Sequence, residues 1–196
     1  MCFPFVKMYP SMNPSLAAVP PNLLQLLHEY GTPQRVKTHE NLIQVGEQCH
    51  HIYYVTKGGF LRRFYNENSS VFRTISFHLS NHRPFMTLNE SYFAMKPSLY
   101  EIKAFQPSEV LVFKRGLIEE MNQKHTFLQE FYHAKILEAL IFENEFKSRL
   151  ISYSSKEFYD YLCQEYPQIV QQVPSKYIAD VMRISPEWLS KLKQKR

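Results

Sequence analysis

The hydrophobic pattern changes its period twice along the chain. In "PPNLLQLLHEY" leucines recur at helical spacing behind prolines suited to a first turn, which predicts a short helix over Pro21–Tyr30. From Gln34 to Lys114 the stretches "QRVKTHENLIQVG", "HIYYVTKGGFLRRFYN", "VFRTISFHL", "LYEIKAF" and "EVLVFKR" are short, rich in β-branched and aromatic residues, and parted by turn residues. They predict a run of strands at the spacing of a sandwich or small barrel, with "TKGG" as a hairpin corner. After Arg115 neither proline nor glycine interrupts the chain from Leu117 to Tyr166, and Phe127, Phe131, Leu137, Leu140, Ile141 and Ile151 form an apolar stripe. That predicts one or two long helices with a break at "SYSS". Pro167 and Pro174 mark short connections into a last helical pair. The order is β-rich domain, long helix, small helical domain, without internal repeats or low-complexity segments.

The last stretch, "VPSKYIADVMRISPEWLSKLKQKR", carries the most specific pattern. Ser175 can cap a helix whose inner face is Ile178, Ala179 and Met182, and the small Ala179 allows a second helix to cross closely. "RIS" is the corner. Ser185 can cap the next helix, Pro186 fits its first position, and Glu187 suits the positive end of its dipole. Leu189 and Leu192 turn inward beside Ile184, while Glu187, Lys191 and Lys195 lie at four-residue steps on the exposed face. This is the hydrophobic template of a helix-turn-helix. Glu187 can accept from a cytosine amino group and Lys191 can donate to guanine O6 or N7. Lys176, Ser185, Lys193 and Lys195 suit phosphates, and Trp188 is counted with the same DNA-binding set. A plain αα-corner with a soluble basic face shares much of this pattern. Arg183 departs from the template, because it stands at the corner where glycine adopts a left-handed conformation most easily.

Charge and composition narrow the classes. From Lys176 onward six basic residues face two acidic ones, leaving +4 of the chain's net +5 there and about +1 on everything before. A basic end on a near-neutral body is the asymmetry of a polyanion-binding module. With 44% hydrophobic and 21% charged residues the chain is expected to fold and stay in water, and only 5 glycines argue against a glycine-rich phosphate loop. The longest apolar run, around "AKILEALIF", is too short to span a bilayer, and the proline-broken N-terminus lacks the form of a secretory signal. A cytoplasmic location is expected. Cys2, Cys49 and Cys163 are scattered, without metal-ligand spacing.

"VPSKYIADVMRISPEWLSKLKQ" resembles the C-terminal end of the Crp–Fnr transcriptional regulators, in particular the branch that stops just after the recognition helix. "LIQVGEQCHHIYYVTKGGFLRRFYNENSS" resembles the opening strands of a cyclic-nucleotide-binding-like domain, with Gly46, Glu47, Tyr54, Val55, Gly58 and Arg62 where that pattern expects them. The resemblance covers about Asn22 to Arg196. It implies an α+β fold: an N-terminal double-stranded β-helix (jelly-roll) sensor over 1–116, a long dimerisation helix over 117–150, and an all-α helix-turn-helix domain over 151–196. It further implies a homodimer reading a palindromic operator, with double-stranded DNA and RNA polymerase as partners and no membrane. Relatives usually have arginine where this chain has Lys191, and lysine lacks the bidentate fork. With the sequence ending at Arg196, the β-wing of many relatives is not expected. A ligand-binding module of the same fold without DNA affinity is the alternative.

Members that bind cyclic AMP carry a Gly-Glu pair and an arginine for the cyclic phosphate. The corresponding "PFMTLNESYFAMKPSLYEIKAF" keeps Glu90 and Ser91 but has neither glycine nor arginine, and Lys96 is its cation before Pro97 and the later Lys103. Cyclic AMP is therefore not expected as a cofactor. An unknown small-molecule effector is left open, with Phe85, Glu90, Ser91, Tyr92, Lys96 and Tyr100 as its candidate pocket. The same aromatics serve equally well as barrel filling. His50, His51, His78 and His82 raise a cupin-type metal site, but neighbouring residues on a strand point to opposite faces and the His-x-His with a following Glu is absent. Neither a nucleophile elbow nor a zinc-protease motif is present, so an enzyme is not expected.

Overall fold

The structure is a computed structural model that describes residues 21–194. The N-terminal segment with Cys2, and Lys195 of the expected DNA-binding set, lie outside the described residues. The predicted first helix is α1 (Pro21–Tyr30), which buries Leu23 and Leu27.

Eight strands follow: β1 (Thr32–Val36), β2 (Asn41–Ile43), β3 (His51–Lys57), β4 (Gly59–Asn66), β5 (Val71–Leu79), β6 (Phe85–Met86), then after the short helix α2 (Asn89–Ala94), β7 (Tyr100–Ala104) and β8 (Ser108–Lys114). They form two four-stranded antiparallel sheets, in the orders β1-β8-β3-β6 and β2-β7-β4-β5. "QRVKTHENLIQVG" therefore holds two strands that belong to different sheets.

One expectation is corrected here. "TKGG" is not a hairpin corner: β3 pairs with β8 and β6, whereas β4 pairs with β5 and β7. The corner carries the chain from one sheet into the other. Gly58 takes φ +81°, and a Cβ there would lie 2.3 Å from Ser108 Oγ and 2.6 Å from the Pro107 carbonyl. A glycine at this turn is legible locally, but its strand partners depend on residues some fifty positions away, which turn chemistry does not encode. The hairpin is β4–β5, where Asn66 Oδ1 accepts from the backbone N–H groups of Asn68 and Ser69.

Between the sheets Val55, Phe60, Ile102, Ala104 and Val110 are fully or almost fully buried. Leu61, Phe77 and Leu79 belong to a second cluster that also holds Phe158, Leu162, Ile178 and Leu189 from the C-terminal helices. Full burial of one such side chain is worth about 1.5–3 kcal/mol, so the helical end is packed onto the barrel rather than tethered to it.

The predicted long helical region resolves into α3 (Arg115–Lys124) and α4 (Thr126–Ser152), followed by α5 (Ser155–Glu165), α6 (Pro167–Gln172), α7 (Ser175–Val181) and α8 (Pro186–Gln194). The break at "SYSS" is present. Ser154 Oγ accepts from Glu157 N–H while the Glu157 carboxylate accepts from Ser154 N–H, a capping box that restarts the chain as α5. A further break falls at His125, which is extended and packs edge-on against Tyr30 of α1. The 27 residues of α4 span about 40 Å at 1.5 Å per residue. Leu128 and Phe146 are buried and Phe131 packs on Phe85, whereas Leu137, Leu140, Ile141 and Ile151 are exposed. Among the described residues no helix is long and apolar enough to cross a membrane.

Candidate functional site

The C-terminal helix pair is assembled from local signals. Ile178 and Ala179 of α7 and its C-cap Met182 cluster with Leu189 and Leu192 of α8, all buried. Between them Ile184 N–H donates to the Ala179 carbonyl at 3.0 Å, the long-reach bond of a Schellman turn, and Arg183 takes φ +55°. The expected left-handed corner is thus present, occupied by arginine. Ser185 Oγ accepts from Trp188 N–H at 3.1 Å and caps α8 as expected. Ser175 does not cap α7. It is the first helical residue, behind Pro174, and its hydroxyl accepts from Lys193 Nζ instead.

This packing leaves Ser185, Glu187, Trp188, Lys191 and Lys193 exposed along α8 and its cap, with Lys176 exposed on α7 and its Nζ 4.9 Å from the Tyr177 ring centroid. The Glu187 carboxyl is held below its ordinary range by its own backbone N–H and the Ser185 hydroxyl, so it is an ionised acceptor at neutral pH. Trp188 remains 45% exposed, a large apolar surface on a helix otherwise charged on that side. The pair is docked by Asp180, whose carboxylate accepts from Arg73 Nη1 at 3.0 Å and from Thr74 N–H at 2.7 Å on β5. The exposed face of α8 therefore has a set orientation relative to the barrel.

The six residues expected to line an effector pocket are not gathered in one place. Ser91 is fully buried, accepting from Cys49 N–H at 2.9 Å and donating to the Lys96 carbonyl, so it ties α2 to the barrel. Tyr92 is buried beneath the Arg115 guanidinium, 4.4 Å from its ring centroid. Glu90 and Lys96 face solvent, and Tyr100 packs against Phe64. Phe85 alone of the six lines the cavity described next.

That cavity, of about 390 Å³, lies between the barrel, α1, α3 and α4. Its walls are mainly apolar, including Leu27, Met86, Met121 and Phe131. At one end sits a charged cluster. Glu143 of α4 accepts from Arg83 Nη1 at 2.8 Å and lies 3.2 Å from Arg62 Nη2. Both arginine side chains are 13% exposed, and Arg62 Nε has no hydrogen-bond partner among the described residues. The Arg83 guanidinium lies 4.2 Å from the Phe142 ring centroid. Its pKa is lowered, chiefly by burial, and Glu143 opposes that shift only in part. His78, also on the cavity wall, is buried and held well below the usual imidazole range, chiefly by burial and then by Arg83. Its Nδ1 lies 3.0 Å from the Arg83 carbonyl, which can only accept, so that nitrogen carries the proton of a neutral ring.

Sequence reading placed Arg62 in a strand pattern and His78 among metal candidates but did not join either to Arg83 or Glu143. The one local signal for Glu143 is a carboxylate flanked by Phe142 and Phe146. Among the described residues no group of three or more His, Cys, Asp or Glu side chains is placed to hold a metal ion.

No protein-family model matches the chain, and no curated protein matches it by sequence. Solved structures do. FixK2 from Bradyrhizobium japonicum superposes with a TM-score of 0.69 at 12% identity, over 84% of this chain and 83% of its own. The c-di-GMP-responsive global regulator CLP from Xanthomonas campestris gives 0.65 at 12% identity, covering 88% of both chains. The Thermus thermophilus catabolite activator protein gives 0.54 at 13% identity, over 95% of this chain and 84% of its own. The superpositions take in 84%, 88% and 95% of this chain, and on that basis it has the fold that the Crp–Fnr resemblance implies.

Proposed function

We propose that the protein is a non-enzymatic, homodimeric, DNA-binding transcription regulator whose N-terminal barrel senses a small molecule other than cyclic AMP. The carrying observation is the capped two-helix corner that leaves Glu187, Trp188 and Lys191 exposed along α8. In this reading the chain divides into a jelly-roll sensor over 1–116, a dimerisation segment over 117–150 that takes in most of α3 and α4, and a helix-turn-helix over 151–196. The two strand orders fit a jelly roll. Glu187 and Lys191 face base edges, Trp188 offers an apolar contact, and Lys176, Ser185, Lys193 and Lys195 hold phosphates. Leu137, Leu140, Ile141 and Ile151, exposed on α4, support a second copy as the cover of that face. Two copies would present two helices to the half-sites of a roughly palindromic operator at a promoter, with RNA polymerase as a further partner.

The test is fluorescence anisotropy on duplex from around the gene's own promoter and on scrambled duplex, across a salt series. Selective binding that weakens steeply with salt is expected. Absence of binding at low salt, with and without cell extract, would overturn the DNA reading and favour a sensor module without DNA affinity.

A further inference from the structure

The cavity beneath α4 has a charge balance that its own residues do not close. Two guanidinium groups, Arg62 and Arg83, converge on the single carboxylate of Glu143. His78 beside them is neutral, and the third cation on the wall, Lys135, is engaged with Glu138 at 2.7 Å. A positive end on an otherwise apolar cavity is costly unless an anion fills it, because the low dielectric that strengthens each pair also penalises the unmatched charge. Arginine presents its donors in a fork that fits a carboxylate or a phosphate, and Arg62 Nε still lacks an acceptor among the described residues.

We infer that this cavity binds an organic anion with an apolar body, and that the Glu143 carboxylate is an internal stand-in that the ligand's acid group displaces from Arg62 and Arg83. The apolar body lies against Phe85, Met121 and Phe131, and the 390 Å³ volume suits a ligand the size of a naphthyl acid or a ten-carbon fatty acid. Glu143, a third exposed, is free to turn to water when replaced. The displacement matters because Arg83–Glu143 and Arg62–Glu143 join α4 to the barrel by charge: once the ligand takes both arginines, those two ties are lost. This inference deepens the effector reading above and rests on it for its link to DNA, though the binding itself can be measured without DNA.

The experiment is calorimetric titration of the purified full chain with 1-naphthylacetate and decanoate, each beside its uncharged amide. The acids are expected to bind at least about tenfold more tightly than the amides, since an amide does not answer the unmatched charge. Arg83→Met and Arg62→Met should each remove that preference, with circular dichroism reporting that the fold persists. The discriminating variant is Glu143→Gln. Removing an internal competitor raises the fraction of binding-competent cavities, so acid affinity should rise several-fold while amide affinity stays unchanged. Equal binding of acid and amide, no binding of either, or an acid affinity that falls in Glu143→Gln would each overturn the inference. Anisotropy on promoter DNA, run separately, keeps the two readings apart. Acid binding without DNA binding overturns only the DNA reading, and DNA binding without acid preference overturns only this one.

Discussion

Arg83 and Arg183 share an uncommon backbone state and differ in everything else. Both sit at positive φ, +51° and +55°, where a side chain costs roughly 1 kcal/mol or more over glycine. At Arg83 the side chain explains the choice: its guanidinium is nearly buried, bonds Glu143 and lies over Phe142. At Arg183 the side chain is exposed, with no ion pair or side-chain hydrogen bond among the described residues, so nothing in the fold offsets the strain. The contrast extends to their surroundings. Cations at the cavity are held in low dielectric and must be matched one by one, whereas Lys191 on α8 stands in water, where salt screens its charge.

Four measurements test this contrast. The largest belongs to Arg83→Met, which leaves Glu143 with one partner and removes the contact over Phe142. A loss of about 3 kcal/mol in denaturant unfolding is expected, and a loss below about 1 kcal/mol would mean that the cluster is not held in low dielectric.

Next comes acid. His82 is buried against Phe142 and Tyr166, near Gln168, and burial followed by Arg83 draws its pKa down to about 4. Because the folded value lies below the unfolded one, near 6.5, the unfolded chain binds more protons between those limits. The stability is therefore complete above pH 6.5 and is lost as pH falls toward 4. The loss from this group should reach roughly 2 kcal/mol by pH 5. It should shrink in His82→Gln, and His78, lowered in the same direction, should leave a remainder.

Arg183→Gly should stabilise the chain by about 0.5–1 kcal/mol, since glycine fits the left-handed corner and no fold contact is lost. The same substitution at Arg83 should destabilise. A loss of stability in Arg183→Gly would give the exposed side chain a structural role that its surroundings do not show.

The smallest effects on stability fall on α8. Lys191→Ala should change unfolding by less than about 0.5 kcal/mol but reduce discrimination at one base pair by about 1 kcal/mol. Lys193→Ala should weaken all duplexes alike and lower the salt slope by about 1. Competition binding against single-base variants separates the two, and a uniform effect from both would overturn the assignment of the base-facing side.

What the sequence determined by itself lies where structure is set within one or two turns of chain. The bounds of α1, the capping of α8 by Ser185, the inward set of Ile178, Ala179, Leu189 and Leu192, and the left-handed corner at Arg183 depend on neighbours within a few residues, and each is present. The break at Ser154 belongs with them, because a capping box spans three residues. The remaining features involve partners far apart in the chain. "TKGG" announced a turn, but the separate pairings of β3 with β8 and of β4 with β7 made it a passage between sheets. His125 parts two helices without proline or glycine because α1 packs there. Arg83 meets Glu143 across 60 positions and Asp180 meets Arg73 across 107, so neither the cavity's charge cluster nor the docking of the helix pair leaves a local trace. Periodicity records which face of an element is buried. It does not record what that face is buried against, because that partner is chosen by the packing of the whole chain.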